Sequence, residues 1–191
     1  AELADSVIRA AEAVGLTVLI EQTGAVRERE LELLSGKRKH LTDGVIFSPL
    51  DLGPEDREAF DVDFPMVLLG ERMFDSGHDH VTMHNVEAAR AATAHLISQG
   101  RRRIAVVGAH VGEQVGSAVL RTQGYLKALE DAGIAPDPAL IGEAGLWHRA
   151  DGAEAMHRLL DSGTPIDAVF GLNDALALGA MHALHVRRVS V

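Results

Sequence analysis

The chain has 191 residues, a mass of 20.4 kDa and 47% hydrophobic residues, which indicate a globular protein of one large or two small domains. Its net charge of −10 argues against direct binding of this chain to nucleic acid or to anionic lipid, because both require a basic surface. The absence of cysteine excludes disulfides, cysteine–zinc sites and thiol catalysis.

The first half of the chain alternates helical and strand patterns. Apolar residues at helical spacing predict a helix over residues 3–14, which Gly15 ends. A buried strand is expected at residues 17–20, and a charged helix over residues 26–39. Three further apolar strands are expected at residues 45–47, 66–69 and 81–83.

The second half repeats this rhythm. Asn85 is the predicted N-cap of a helix that ends at Gly100, and Asn173 is the predicted N-cap of the last helix. Two more helices are expected, over residues 117–132 and from residue 151. Apolar strands are expected at residues 104–107, 140–141 and 168–170, and the beginning of another at 189–191.

Strands that are apolar throughout and separated by amphipathic helices indicate parallel sheets covered on both faces. The sequence therefore predicts a doubly wound α/β fold, and the shared rhythm predicts two similar lobes over residues 1–100 and 101–191. Ligands bind beyond the carboxyl ends of the strands in such sheets. We therefore expect a binding cleft lined by the loops that follow the strands.

Tests for catalytic, cofactor and metal motifs are negative. Gly108, Gly112 and Gly116 follow a strand, but their spacing is not the G-x-G-x-x-G of a dinucleotide site, and a flexible loop at the mouth of a cleft is the better interpretation. His78 and His80 alternate as metal ligands could, but no carboxylate pattern supports a metal site. No serine stands in G-x-S-x-G. We expect no cofactor, no metal and no enzymatic activity.

Charged runs are interpreted as solvated surface. Three glutamates alternate with arginine and leucine in the predicted helix over 26–39, at Glu28, Glu30 and Glu32, and they resemble a solvated helix rather than a catalytic pair of carboxylates. The sequence contains no run of about 18 apolar residues, so no membrane span is predicted. Residues 1–5 lack the basic and then apolar order of a secretory signal, so a cytoplasmic location is expected.

Three residues after strands or the glycine loop are candidates for ligand binding. Trp147 is the only tryptophan, and its flat face suits stacking on a sugar ring, although a core position would explain it as well. Arg121 offers a planar fork of donors for vicinal hydroxyls or a carboxylate, or else forms a surface salt bridge. The amide of Asn173 either caps the last helix or faces the cleft.

Several stretches form a recognisable series along the chain. They are residues 43–49 (DGVIFSP), 81–85, 95–96, 100–108 (GRRRIAVVG), 121–125 (RTQGY), 128–129, 132–134 and 168–180 (AVFGLNDALALGA). Together they resemble the effector-binding core of LacI/GalR-family transcription regulators, which has the fold of type I periplasmic sugar-binding proteins. Each motif alone is weak, but the series follows the expected order and spacing over nearly the whole chain.

The resemblance implies roles for six residues. Arg121 matches the arginine of the family's R-x-x-G-[YFW] motif, which reaches the effector, and Ser117 matches a serine that helps to hold it. Trp147 matches an aromatic residue that stacks on the ligand. The remaining matches are Asn173, which contacts ligand, Asp174, which organises the helix start, and Glu87, where some members place a ligand-facing acid.

The chain also departs from the family pattern. His84 stands where the family usually has aspartate before Asn85. The resemblance implies that the first strand and a helix-turn-helix headpiece precede Ala1, and that a ligand-binding segment follows Val191. Both lobes are therefore expected to be incomplete at the ends of this chain.

The function implied is that of a ligand-responsive bacterial transcription regulator, most simply a repressor. Its sensor portion would bind a small effector, a sugar or related metabolite, between the lobes and would form a homodimer. Operator DNA would be bound by a headpiece outside this chain. The alternative is a periplasmic sugar-binding protein of a transport system, and a third reading is a doubly wound enzyme acting on a nucleotide sugar.

Overall fold

A computed structural model describes residues 2–37 and 40–190 of the chain. The strands are β1 (Val45–Phe47), β2 (Met66–Leu69), β3 (Asp79–Val81), β4 (Ile104–Ala109), β5 (Ile141–Glu143) and β6 (Ala168–Gly171). The α-helices are α1 (Glu2–Glu12), α2 (Arg27–Leu34), α3 (Asn85–Ser98), α4 (Ser117–Asp131), α5 (Arg149–Asp161) and α6 (Asp174–Val186). Two short 3-10 helices span Pro54–Phe60 and Pro138–Leu140.

The strands form two parallel sheets, with the orders β1-β2-β3 and β5-β4-β6. In the second sheet, β4 lies in the centre and is buried along its whole length. Such a strand must be apolar on both faces because helices cover both sides of the sheet. The two sheets confirm the predicted α/β fold with two lobes.

Each sheet has its own hydrophobic core. The first core is built around Phe47, Leu52, Phe60 and Leu68. The second core is larger and joins the β4 side chains to α4, α5 and α6, with Tyr125 and Met156 at its centre. No described helix is both long and apolar enough to cross a membrane.

Helix α3 packs along α4, and this contact requires glycine in the RTQGY motif. A Cβ atom at Gly124 would collide with the Val86 carbonyl oxygen and would lie 2.8 Å from the Ala89 Cβ. Leu96 and Ile97 of α3 also pack against the second core. The expected boundary at residue 100 stays a prediction, and this packing leads us to propose that the second lobe begins nearer to Asn85.

The predicted strand at residues 17–20 is wrong. These residues form neither helix nor strand, and the side chains of Leu19 and Ile20 are 69% and 60% exposed. An apolar strand is stable only when a neighbouring strand pairs with its backbone groups. Within residues 2–37 and 40–190, β1 pairs only with β2, so no strand lies beside this segment.

The charged helix is shorter than predicted, and one of its carboxylates is not solvated. Helix α2 ends at Leu34, and residues 38 and 39 of the predicted range lie outside the described residues. Glu30 is 0% exposed because it accepts hydrogen bonds from the backbone of residues 50–52. The interpretation of all three glutamates as surface residues is therefore wrong for Glu30.

Smaller differences concern the ends of elements. Asn85 is the first residue of α3 rather than its N-cap, which is His84. Strand β3 ends at Val81, where the predicted strand began, and β5 begins at Ile141. At the end of the chain, Val189 and Ser190 form no strand, and Val191 lies outside the described residues.

Candidate functional site

Loops at the carboxyl ends of both sheets meet in one polar cluster. Glu71 follows β2 in the first sheet, while Ser117 and Arg121 lie in the first two turns of α4, after β4. Trp147 follows β5, and Asn173 follows β6. All of the predicted effector residues except Glu87 therefore lie near one another, as expected for parallel strands whose carboxyl ends share one edge.

Arg121 is half-buried and is held by neutral acceptors. Its Nε atom donates to Asn85 Oδ1 at 2.7 Å, and its Nη1 atom donates to the Leu172 carbonyl oxygen at 2.5 Å. Burial lowers the pKa of Arg121, and the nearby charges of Glu71 and Asp174 oppose this shift. Among the described residues no carboxylate forms an ion pair with Arg121, so part of its donor fork is free for a ligand.

Glu71 collects hydrogen bonds from both lobes. Ser117 Oγ donates to Oε2 at 2.5 Å, and Asn85 Nδ2 donates to Oε1 at 2.9 Å. The Thr82 hydroxyl and the Met83 amide also donate to Oε1. Burial alone would raise the pKa of Glu71, but the donors outweigh it, and the pKa lies below its ordinary value of 4.5. Glu71 is therefore a buried carboxylate that links the first sheet to α4.

Asn85 joins Glu71 to Arg121. Its side chain is buried, and its two ends serve different partners: the amide nitrogen donates to Glu71 and the oxygen accepts from Arg121. The preceding residue, His84, is exposed and makes no capping hydrogen bond with its side chain. The departure from the family's aspartate at His84 thus leaves the cluster intact in this structure.

Trp147 is fixed from three directions. Its Nε1 atom donates to the Gly108 carbonyl oxygen at 2.8 Å, and its ring centroid is 5.4 Å from Arg121 Cζ and 5.8 Å from the His110 ring. A guanidinium over an indole face is attracted by the ring quadrupole. Trp147 also has a φ of 60°, which a residue with a side chain rarely adopts. The ring is therefore held rigidly at the carboxyl end of β5.

Asn173 and Asp174 have separate roles. Asn173 is the N-cap of α6, as predicted, with its Oδ1 accepting from the Leu176 amide at 2.7 Å. Its Nδ2 atom donates to the Trp147 carbonyl oxygen at 3.4 Å. Asp174 is exposed and close enough to Arg121 to favour its charged form. The Asn173 side chain thus supports the Trp147 loop, and its contact with an effector stays a prediction.

Glu87 lies apart from this cluster. It is exposed on the first turn of α3 and lines a groove of about 450 Å³ between α3 and α4. The groove is also lined by Val86, Arg90, Lys127, Glu130 and Asp131. The acids whose charges act on Arg121 are instead Glu71 and Asp174, and Glu71 is linked to Arg121 through Asn85. Sequence reasoning missed Glu71, although Gly70-Glu71-Arg72 follows a predicted strand.

Replacement of Gly108 by alanine is expected to destabilise the site. Gly108 has a φ of 115°, and a Cβ atom there would collide with Leu176 Cδ1 and lie 3.2 Å from Leu172 Cβ. Strain and overpacking together should lower the free energy of unfolding by about 3 kcal/mol. Urea unfolding followed by Trp147 fluorescence measures this loss.

The matched control is Gly112→Ala. Gly112 also has a positive φ, 91°, but no atom lies within 4 Å of its Cβ position. It should lose only the strain component, about 1 kcal/mol. Equal losses in the two variants would contradict the steric argument.

Acid is expected to weaken the contact between Glu71 and its donors. Because the folded pKa of Glu71 lies below 4.5, its carboxylate stabilises the folded state above that value and loses this contribution as pH falls through the folded pKa. The free energy of unfolding should therefore fall more steeply below about pH 5 in the unmodified protein than in Glu71→Gln. Urea unfolding at a series of pH values tests this, and parallel curves would contradict it.

Comparisons with known proteins agree with this geometry. A family profile described as periplasmic binding proteins and sugar binding domain of LacI family matches residues 1–190. A solved structure of a LacI-family protein from Sanguibacter keddieii is 50% identical in sequence and has a TM-score of 0.87. The match covers 100% of this chain and 67% of that one. A LacI-type transcription regulator from Bifidobacterium animalis subsp. lactis is 33% identical, with a TM-score of 0.89 and coverage of 100% of this chain and 70% of that one.

Curated relatives are longer than this chain. The HTH-type transcriptional repressor PurR of Histophilus somni is 33% identical over 129 residues, which are 68% of this chain and 38% of the repressor. The chain spans between about a third and somewhat more than half of the length of the curated relatives it matches. With the family profile matched over residues 1–190 and two LacI-type structures superposed on the whole chain, the chain belongs to the LacI branch of the periplasmic-binding-protein family.

Proposed function

We propose that this chain is the effector-binding core of a ligand-responsive bacterial transcription regulator, most simply a repressor. The effector would be a small sugar or a related metabolite bound between the two lobes. The relatives are named as transcription regulators, which supports the expectation that the protein is not an enzyme. They also favour this function over the alternative of a transport-linked periplasmic binding protein.

The observation that carries the proposal is the half-buried guanidinium of Arg121. Burying a charge without a direct ion-pair partner is costly, and such charges are concentrated at functional sites. Arg121 keeps donors free beside a carboxylate, Glu71, and an indole ring, Trp147. Donors, acceptors and a flat apolar face within one site are the groups that a polyhydroxylated ring needs.

Lobe closure would connect binding to regulation. The hydrogen bond from Ser117 to Glu71 already joins the two sheets. An effector that bridges Arg121 and Glu71 would bind the closed arrangement of the lobes more tightly than the open one. This difference in affinity would shift the equilibrium toward the closed arrangement. The change in lobe angle would then shift a homodimer between DNA-bound and free states. Homodimerisation, operator binding by a headpiece outside this chain, and a cytoplasmic location belong to this proposal.

A thermal-shift screen of sugars and nucleosides tests the proposal. A ligand present at 100 times its Kd should add about 2.7 kcal/mol of stability, which raises the melting temperature by several degrees. Positive compounds are then titrated while the fluorescence of Trp147, the only tryptophan of the chain, is followed. If every sugar and nucleoside leaves both the melting temperature and the fluorescence unchanged, the effector class is wrong.

A further inference from the structure

A short loop after β1 lies beside the site. It comprises residues 48–53, and its first residue is next to Gly70, because Ser48 Oγ is 3.7 Å from the position of a Cβ atom at Gly70. Gly70 immediately precedes Glu71. The loop exposes Ser48 and Leu50 but buries Leu52 completely. The loop therefore begins at the carboxyl end of β1, beside the segment that carries Glu71.

Glu30 holds the amide side of this loop. Its carboxylate accepts from the backbone amides of Leu50 at 2.9 Å, Asp51 at 3.2 Å and Leu52 at 3.0 Å. The Thr23 hydroxyl donates a further hydrogen bond at 3.3 Å. Glu30 comes from α2 and is 0% exposed, so its carboxylate lies away from water. Three successive amides converge on one buried carboxylate.

Two other charged side chains hold the same loop from different directions. Arg72 donates from Nε to the Leu52 carbonyl oxygen and from Nη2 to the Asp51 carbonyl oxygen, both at 3.2 Å. Asp56 accepts from the Gly53 amide at 3.0 Å, and Arg27 of α2 pairs with Asp56. Hydrogen bonding to Arg27 lowers the pKa of Asp56 against the effect of burial. We refer to Glu30, Asp56 and Arg72 as the loop clamp.

Burial of the Glu30 carboxylate would be energetically unfavourable if the side chain only filled space. An apolar side chain at position 30 would pack in the first core without the desolvation of a carboxylate. What the carboxylate adds is a fixed backbone for residues 50–52. Arg72 acts on the carbonyl groups of Asp51 and Leu52, two of the three residues whose amides Glu30 holds, and it directly follows Glu71 in the chain. The clamp therefore ties the loop to the segment that carries the site's carboxylate.

We propose that Glu30 and Arg72 are positioning residues of the effector site, which hold the 48–53 loop so that its exposed residues form a preformed wall of the cleft. This inference rests on the proposed function, because it assumes a ligand in the cleft. A preformed wall increases affinity since binding then costs less conformational entropy. Loosening the clamp should therefore lower the affinity for the effector by more than its effect on the stability of the fold would explain.

The first experiment needs no ligand. Hydrogen–deuterium exchange is measured for the protein and for Glu30→Gln, which has nearly the same shape but can present only one acceptor oxygen to the three amides. We expect exchange of the residue 50–52 amides to accelerate at least about tenfold, with α4 and β4 unchanged. Glu28→Gln is the matched control, because Glu28 is exposed on the same helix, and it should leave the loop unchanged. Unchanged exchange in Glu30→Gln overturns the inference.

The second experiment separates positioning from stability. D-Ribose, D-glucose and D-galactose are each titrated against the protein, Glu30→Gln and Arg72→Met, with Trp147 fluorescence as the signal. For any of these sugars that binds, both variants should lose affinity about tenfold, since loop order must then be restored on binding. Arg29→Met is the control for Arg72→Met, since Arg29 is exposed on α2. Leu34→Val, which removes a methylene group from the first core, should lower the melting temperature without changing affinity.

The outcomes distinguish the two proposals. If a sugar binds and Glu30→Gln loses only stability, in proportion to Leu34→Val, the positioning role is overturned while the proposed function stands. If neither these sugars nor any compound of the thermal-shift screen binds the unmodified protein, it is the proposed effector class that fails, and the positioning role fails with it. Faster loop exchange together with a selective loss of affinity supports the inference.

Discussion

Replacing Arg121 by alanine should weaken effector binding by about 100-fold or more. Hydrogen bonds to a charged group contribute about 1.5–3 kcal/mol each, and 1.4 kcal/mol is a factor of ten in affinity. Alanine also removes the guanidinium from the face of Trp147. Isothermal titration calorimetry with a compound that stabilises the protein in the thermal-shift screen measures the loss.

Two further variants make this result specific. Arg121→Lys keeps the charge but not the planar fork, so it should recover only part of the affinity. Arg101→Ala removes an exposed arginine just before β4 and should bind like the unmodified protein. An unchanged Kd for Arg121→Ala would remove Arg121 from the effector site and, with it, the observation on which the proposed function depends.

Replacing Glu71 by alanine should have the largest effect on stability within the cluster, a loss of about 3 kcal/mol in the free energy of unfolding. The reason is that Ser117, Thr82, Met83 and Asn85 all donate to this carboxylate. Alanine leaves these donors without their acceptor in a partly buried place. Urea unfolding at neutral pH measures the effect.

Glu71→Gln separates hydrogen bonding from charge. The glutamine oxygen can keep the bonds to Oε1, and its amide can donate to the Ser117 hydroxyl, so the loss should be about 1 kcal/mol or less. Glu87→Ala is the control, because this exposed acid lies outside the cluster and should change stability by no more than about 0.5 kcal/mol. A loss in Glu87→Ala as large as that in Glu71→Ala would contradict the assignment of the acid to position 71.

Local pattern was sufficient for most of the second sheet. The strand β4 and the helix α4 lie where apolar runs and glycine stops predict them. Asn173 caps α6 as expected, since an N-cap depends on a side chain and an amide three residues apart. The strand predicted at residues 17–20 shows the limit, because strand formation depends on a partner that lies elsewhere in the chain.

The site was predicted in part. Arg121, Ser117 and Trp147 could be named because they follow strands or a glycine loop and match a family motif. Glu71, Asn85 and Glu30 could not, because most of their hydrogen-bond partners lie 11 to 46 residues away in sequence. The same residue types in the same local patterns occur on solvated surfaces, as Glu28 and Glu87 do here.

The α/β class, most of the helices and strands, and a short set of candidate binding residues could be predicted from the sequence, because periodicity, capping and glycine placement act within a few residues. Three points depended on the tertiary structure: that the charge of Glu71 acts on Arg121, that Asn85 joins the cluster rather than capping its helix, and that Glu30 holds a loop instead of facing water. Burial and long-range hydrogen bonding set the state of a charged side chain, and both depend on which distant segments the fold brings together.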